Sequence, residues 1–408
     1  MKKQFCKFLA VSLIALVFSC KSKEKVIPYL SVKETSIDLS ENLEFTLDVT
    51  ANIPIVFAMP AWIHEKEGNT PVIGRKPYYF QAVALPEGVD SRTGDMVVKP
   101  ENASIDISVT VPVEQNNFTS QFTIPVFPDT QYQSSEVLFS ACEWIASNSR
   151  QIPIVLHVGD IVDIDRLSDW QRASAGMTIL DNAHVPYAIA VGNHDTAAAT
   201  ITGGASWTNT NLRNTTNFNN YFPVSRFTLQ KGRFETNKSD NAYYTFEVGG
   251  YKWIVVTLEF CARESAVQWM DQTLKLFPDH NAIILTHYHL NTNGTIGTTN
   301  DSYGNMNPAY IFNGYIKPNK NVLMVLCGHV CDGNTSAWRI DKDSHDNNIY
   351  QILQNFQCSE NDSFLRLLDF DMKNKTITAK MYSPYLNVTL DNDSKFTFKF
   401  EDVDFIKF

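Results

Sequence analysis

The sequence predicts an α/β layered domain preceded by an all-β sandwich. Two observations carry this: the period of the apolar residues changes near residue 116, and each apolar strand of the second part ends in a cluster of polar residues. A length of 408 residues suits more than one domain. Hydrophobic residues at 44% and charged residues at 19% are ordinary for a globular chain with a core to bury. The formal net charge of -10 argues against a nucleic-acid binder that works by neutralising phosphates. It leaves room for a phosphorylated substrate, because bound metal ions invert the local field.

At the start, Lys2, Lys3 and Lys7 flank an almost unbroken apolar run over residues 8–18. That run is about half the ~20 residues a membrane-spanning helix requires, so it reads as a signal peptide. It ends in Val17-Phe18-Ser19-Cys20, which resembles a bacterial lipobox. Residues 1–20 are therefore expected to be a lipoprotein signal with Cys20 as the lipidated residue, and 21–27 a polar tether. An ordinary signal peptide with an incidental cysteine is the bland alternative. The anchored reading makes the protein an exported outer-membrane lipoprotein, on its periplasmic or cell-surface face. Cys142, Cys261, Cys327, Cys331 and Cys358 are scattered too widely to suggest a disulfide framework. Most read as small buried hydrophobes, Cys331 excepted.

Residues 28–115 are strand-like. Leu43, Phe45, Leu47 and Val49 alternate, as do Ile105, Ile107, Val109 and Val111, with turn-rich breaks at Glu67-Gly68-Asn69 and Pro86-Glu87-Gly88. An immunoglobulin-like sandwich fits. Asn52-Ile53-Pro54, Pro60-Ala61-Trp62-Ile63 and Arg92-Thr93-Gly94, in this order, resemble the carbohydrate-binding-associated module at the N-terminus of many Bacteroidetes surface proteins. That resemblance implies a glycan partner, with Trp62 as the candidate stacking aromatic, although a tryptophan so placed is more often core.

From 121 to 408 short apolar strands alternate with helical spacing. Strands are expected at 122–127, 152–158, 187–191, 253–258, 282–285 and 322–326, and helices at 136–145, 170–180 and 262–276. The text turns strand-rich again after residue 333, and 196–240 and 291–307 read as long polar loops. The strand ends carry Pro128-Asp129-Thr130-Gln131, Gly159-Asp160-Ile161-Val162-Asp163, Gly192-Asn193-His194-Asp195, Thr286-His287-Tyr288-His289 and Gly328-His329-Val330-Cys331. In α/β sheets ligands bind beyond the carboxyl ends of strands, so these clusters should converge on one rim. Carboxylates, an amide and imidazoles suit divalent ions such as manganese, iron or zinc. A phosphate ester is anionic and repels hydroxide; two ions can hold a hydroxide and neutralise the phosphoryl oxygens together. One carboxylate must then bridge both ions, and Asp160 is central in the series.

This ordered set resembles the calcineurin-like metallophosphoesterase superfamily. Gly-Asp-x-x-Asp at 159–163 followed by Gly-Asn-His-Asp at 192–195 is the specific part. The resemblance implies a four-layer α/β/β/α sandwich and a two-metal hydrolase of phosphate mono- or diesters. It further implies that Asp129 serves the first metal, that Asp160 bridges, and that Asn193, His287 and His329 complete the second site. His194 would protonate the leaving group with Asp195 orienting it, and Asp163 would support the ligands. His157 reads as packed behind them, and His289 as a supporting or substrate-facing extra.

Two departures fall on the first metal site: Gln131 and Cys331 stand where the family has histidine. Pro-Asp-Thr-Gln, Phe222-Pro223 and Tyr382-Ser383-Pro384 are similar to a secreted bacterial subgroup, which excuses Gln131. For Cys331, ligation by a thiolate and an inert thiol remain open. The competing reading from another class is a catalytically weakened surface binding protein, using its β-sandwich and a single structural metal. The anchor has its own test. Cys20→Ser should move the expressed protein from the bacterial membrane fraction to the soluble fraction, and retention on the membrane would point to another attachment.

Overall fold

The structure is a computed structural model that describes residues 27–39, 43–86, 89, 91–116, 121–200, 208–332, 335–358 and 363–406. The signal segment, Cys20 and nearly all of the tether lie outside the described residues. Contacts divide the chain into two compact units. One is formed by Leu43–Ala84 and Thr93–Glu114 with the segment up to Ile37; the other runs from Gln115 onward and includes Asp38–Asn42 and Leu85–Arg92. No helix among the described residues is long and apolar enough to cross a membrane.

The N-terminal region holds two four-stranded sheets. The first orders Leu30–Val32, Glu44–Ala51, Gly74–Ala82 and Ile63–Glu65; the second orders Ile37–Asp38, Val109–Asn116, Ser91–Pro100 and Ile55–Ala58. Alternation sets the inward faces: Leu47, Val49, Tyr78 and Phe80 from one sheet, Met96, Val98, Val111 and Val113 from the other, are all buried. Phe57 bridges the sheets, 4.9 Å from Tyr78 and edge-on to Phe80 at 5.0 Å. Residues 105 and 107, expected in the last strand, precede it in a turn-rich segment. Trp62 is half-buried, and a Cβ on Gly94 would lie 3.4 Å from its ring.

In the larger unit the strands are β1 (Gln121–Phe127), β2 (Val155–His157), β3 (Tyr187–Ile189), β4 (Gln230–Arg233), β5 (Ala242–Val248), β6 (Tyr251–Leu258), β7 (Asn281–Thr286), β8 (Val322–Cys327), β9 (Thr335–Lys342), β10 (Asn348–Asn355), β11 (Leu365–Asp371), β12 (Thr376–Ser383), β13 (Val388–Leu390) and β14 (Phe398–Phe400). They form two seven-stranded mixed sheets. One runs β3-β2-β1-β11-β12-β13 with β14 also on β12, and the other runs β4-β5-β6-β7-β8-β10-β9. The parallel stretches are β1-β2-β3 and β6-β7-β8-β10.

The sequence of β6 shows how the layers arise. Trp253 and Val255 point into the core shared with the first sheet; Ile254, Val256 and Leu258 point to the other face, against helix α3 (Glu264–Leu276). A central strand buried on both faces reads as a continuous apolar run for this reason. Across the sheets, Trp253 packs 5.7 Å from Phe122 of β1 and 5.2 Å from Phe370 of β11. Helices α1 (Ser135–Ser147) and α2 (Leu167–Asn182) bury Leu138, Ala141, Ile145, Trp170, Met177 and Leu180 into the core of the first sheet. Ser134 caps α1 by accepting from the Val137 backbone N–H. The result is helices outside two packed sheets, the α/β/β/α order.

Because Trp253 is fully buried between the sheets, Trp253→Ala should cost about 3–5 kcal/mol, seen as a large drop in melting temperature. Leu276→Ala, at a side chain 76% exposed, should stay within about 0.5 kcal/mol of wild type. Equal effects of the two would mean that the inter-sheet core is not where this structure puts it.

Candidate active site

Asp129 follows β1, Asp160 follows β2, Asn193 and His194 follow β3, His287 follows β7 and His329 follows β8. All these strands lie in parallel stretches, so their carboxyl ends open on the same rim. Ligand atoms of Asp160, His287 and His329 lie within 4.8 Å of one another, the group among the described residues with metal-site spacing.

Asp160 occupies a left-handed turn, φ +53°. Its carboxylate accepts from the His194 backbone N–H at 2.8 Å, and its Oδ2 lies 3.0 Å from His287 Nε2. The approach is close enough to exclude a side chain at the neighbouring turn: a Cβ on Gly192 would sit 2.1 Å from Asp160 Oδ1. Asp129 sits the same way beneath Gly328, where a Cβ would lie 2.1 Å from its Oδ1. The Asp129 carboxylate accepts from the His329 backbone N–H at 3.2 and 3.1 Å and from Asn355 Nδ2 at 2.8 Å.

His287 is completely buried and donates from Nδ1 to the Val158 carbonyl at 2.8 Å. That turns Nε2 towards the carboxylates, 3.0 Å from Asp160 Oδ2 and 3.9 Å from Asp129 Oδ2. Gln131 Oε1 is buried without a hydrogen-bond partner. An orphaned amide oxygen and an imidazole nitrogen 3.0 Å from a carboxylate, beside two buried carboxylates, fit a divalent cation. The electrostatics agree. Burial pushes the Asp129 carboxyl up to about 8, His287 pulling it back and Asp160 pushing it further. Burial opposes the charge of His287, yet Asp160 and Asp129 raise it to about 9. In Asp160 burial also works upward, but His287 and His194 outweigh it and hold the carboxyl down. A cation would displace the protons held by this cluster. His329 is lowered to about 3, first by burial and then by His287, so its ring is a neutral donor.

The supporting residues differ in part from expectation. Asp195 was expected to orient His194; instead its carboxylate accepts from the backbone N–H groups of Asp160 and Gly192 at 2.8 Å, Ile161 at 2.8 Å and Val162 at 3.3 Å. The residue beside His194 is Asp163, whose backbone carbonyl accepts from Nδ1 and whose Oδ1 lies 3.6 Å away. Burial lowers His194, but Asp160 and Asp163 reverse this and raise it overall. His157 accepts from Gly159 N–H at Nδ1 and so donates from Nε2 to Thr130 at 2.9 Å, packed behind the loops. His289 does not reach the rim: it is buried and donates to Gln351 at 2.7 Å.

Cys331 is bonded to Cys358 in a disulfide. Its sulfur is therefore not a thiolate in this form, which corrects both alternatives held open for Cys331, ligand and inert thiol, and adds one disulfide to cysteines whose scatter had suggested no framework. The other three described cysteines, Cys142, Cys261 and Cys327, are free and buried.

Two groups escaped the sequence. Arg172 of α2 reaches back to the carbonyls of Gln131 at 3.0 Å, Thr130 and Ile161 at 3.4 Å, and Gln133, tying the loops after β1 and β2 to a helix. Phe260, after β6, packs 5.6 Å from His287 and 4.8 Å from His329, with Tyr303 edge-on behind it at 4.6 Å. Arg213 holds that turn through the carbonyls of Phe260 and Cys261. These residues carry no signal in sequence, since their partners at the site are distant along the chain.

Residues 123–333 match the family model described as calcineurin-like phosphoesterase. The chain is 29% identical over 277 residues to the uncharacterised protein YvnB of Bacillus subtilis (strain 168), an alignment covering 65% of this chain and 20% of that protein. The chain thus spans about one fifth of the length of that relative. Among solved structures it is similar to the purple acid phosphatase PPD1 of yellow lupin (Lupinus luteus) seeds, with 13% identity, TM-score 0.45, and 92% of this chain and 74% of that one covered. It is also similar to the NAD nucleotidase NadN of Haemophilus influenzae, with 12% identity, TM-score 0.37, and 66% and 48% covered.

The close approach at Gly192 makes a direct prediction. Gly192→Ala should displace Asp160 and lower bound metal, measured by elemental analysis, while circular dichroism stays unchanged. Full metal content in that variant would show that Asp160 is not held against the Gly192 turn.

Proposed function

Because the chain belongs to the calcineurin-like phosphoesterase family, we propose that its rim of strand-end residues hydrolyses a phosphate mono- or diester with two divalent ions. The protein is a metallophosphoesterase, a hydrolase. The observation that carries the reading is the convergence of Asp160, His287 and His329, the first two buried, with His287 Nε2 turned to the Asp160 carboxylate at 3.0 Å.

Asp129, Gln131 and Asp160 would hold the first ion, and Asp160, Asn193, His287 and His329 the second. Bound ions would lower the pKa of water and neutralise phosphoryl oxygens. Asp195 keeps the Asp160 turn closed, and Phe260 covers the imidazoles with apolar surface that excludes water from that side. His194 gives its Nδ1 proton to the Asp163 carbonyl as a hydrogen bond, so a second proton must sit on Nε2 for the ring to act as an acid. Its raised pKa favours that doubly protonated form, suited to protonating a departing alkoxide. Asp195 supports this chemistry through the backbone rather than by touching His194.

Export on a lipid anchor at Cys20 is part of the same proposal, and the Cys331–Cys358 bond supports an oxidising compartment. Glycan contact by the N-terminal unit is proposed at Trp62. The departures at Gln131 and Cys331 favour one rival, a surface binding protein with a single structural ion. Elemental analysis alongside a panel of chromogenic mono- and diesters separates them: two ions with turnover support the enzyme, one ion without turnover the rival.

Within the enzyme, His194→Ala should keep its metal and lose roughly 10²–10⁴-fold in kcat, whereas Asp160→Ala should lose metal and activity together. Asp163→Asn removes a charge that raises His194, so the pKa of the acid falls and the alkaline limb of the rate profile moves to lower pH. An unmoved limb would assign the proton to another group.

A further inference from the structure

Asp129 is gripped from two sides. The His329 N–H donates to both of its oxygens from the loop after β8, and Asn355 Nδ2 donates from the last residue of β10. These strands are parallel neighbours, paired as far as Cys327 with Leu353. Beyond that pair the two arms leave the ladder. His329 is in a left-handed conformation, φ +68°, which an L side chain adopts only when its surroundings impose it. Two residues past His329 is Cys331; three past Asn355 is Cys358; and these two are joined across 27 residues of sequence. Gln357 reinforces the join, its Nε2 donating to Cys331 Sγ at 3.7 Å and its backbone N–H to Asn355 Oδ1 at 3.1 Å.

We infer that the Cys331–Cys358 disulfide is a positioning element for the first metal: it fastens together the two arms that hold the Asp129 carboxylate. A covalent tie stands at the position where a ligand was expected, and it acts on the ion through Asp129. The inference rests on the two-metal reading above. Without the bond the arms are free to separate, the His329 N–H and the Asn355 amide lose their common target, and Asp129 is no longer aimed. Of the second site, His287 is set by the Val158 carbonyl and Asp160 by Asp195, neither of which depends on the tie; His329 alone rides on a loosened arm, so the second ion should weaken less than the first.

The test uses full-length processed protein. Non-reducing peptide mapping first establishes the 331–358 link, and free thiols at both positions would overturn the proposal. Metal-free protein is then titrated with manganese and with zinc, as wild type before and after a non-chelating phosphine reductant, and as Cys331→Ser, Cys358→Ser and the double variant. Cys358 is exposed, so the reductant can reach the bond without unfolding the chain. Loss of the disulfide by any route should weaken one ion by roughly 10–100-fold, the size seen when residues behind metal ligands are removed, and weaken the other by less. Hydrolysis should fall in kcat. Two results would overturn the positioning role. One is unchanged affinity for both ions with only a lower melting temperature of the metal-free protein, which marks a plain staple. The other is tighter zinc binding in Cys358→Ser than in wild type, which makes Cys331 a ligand in reserve. A wild type that binds no ions and cleaves no ester would instead bring down the site reading itself.

Discussion

Asp195 commits its carboxylate to the backbone N–H groups of Gly192, Asp160, Ile161 and Val162, and the geometry of the rim follows from that. Holding Asp160 in the left-handed region costs about 1–3 kcal/mol. Each hydrogen bond to a charged group contributes about 1.5–3 kcal/mol, so four of them outweigh the strain several times over. The bonds also join the turn after β2 to the turn after β3. With the two turns fastened, Asp160 can approach the Gly192 backbone closely, and the His194 N–H meets the Asp160 carboxylate. A residue read as an assistant to catalysis is thus the keystone of the loop geometry.

The same crowding explains the charges. Two carboxylates and a histidine are buried together, and no arrangement of protein groups satisfies all of them at once. Asp129 is pushed up, His287 is pushed up, and Asp160 is held down between its neighbouring imidazoles. The buried Oε1 of Gln131, without a hydrogen bond, marks a place where the network lacks a partner. Buried polar groups in this condition are costly in a structural role, and they are what a cation site looks like from inside.

Much of this was legible in the chain. Five polar clusters at strand ends placed the rim because strand direction and side-chain type are both local properties, and β6 announced a doubly covered strand by its unbroken apolar run. What stayed hidden was relational. Asn355 supports Asp129 from 226 residues away, and nothing near it in sequence marks an asparagine as a clamp. Arg172 looks like any charge on a helix until its carbonyl partners fold beneath it. Asp195 is next to His194 in sequence and Asp163 is 31 residues away, so only the fold decides which one faces that imidazole. Cys331 and Cys358 were misread because spacing between cysteines says little about loops that return to the same strand ends.

The donors at the rim come from both sheets: Asp129, Asp160 and Asn193 from the ends of the first, His287 and His329 from the ends of the second. An ion held by both groups is a rivet through the mouth of the sandwich, and its grip adds to folding stability by mass action. An ion bound there would therefore bear on more than turnover: it would make the sheets part less often at that end, and so lengthen the protein's survival among proteases.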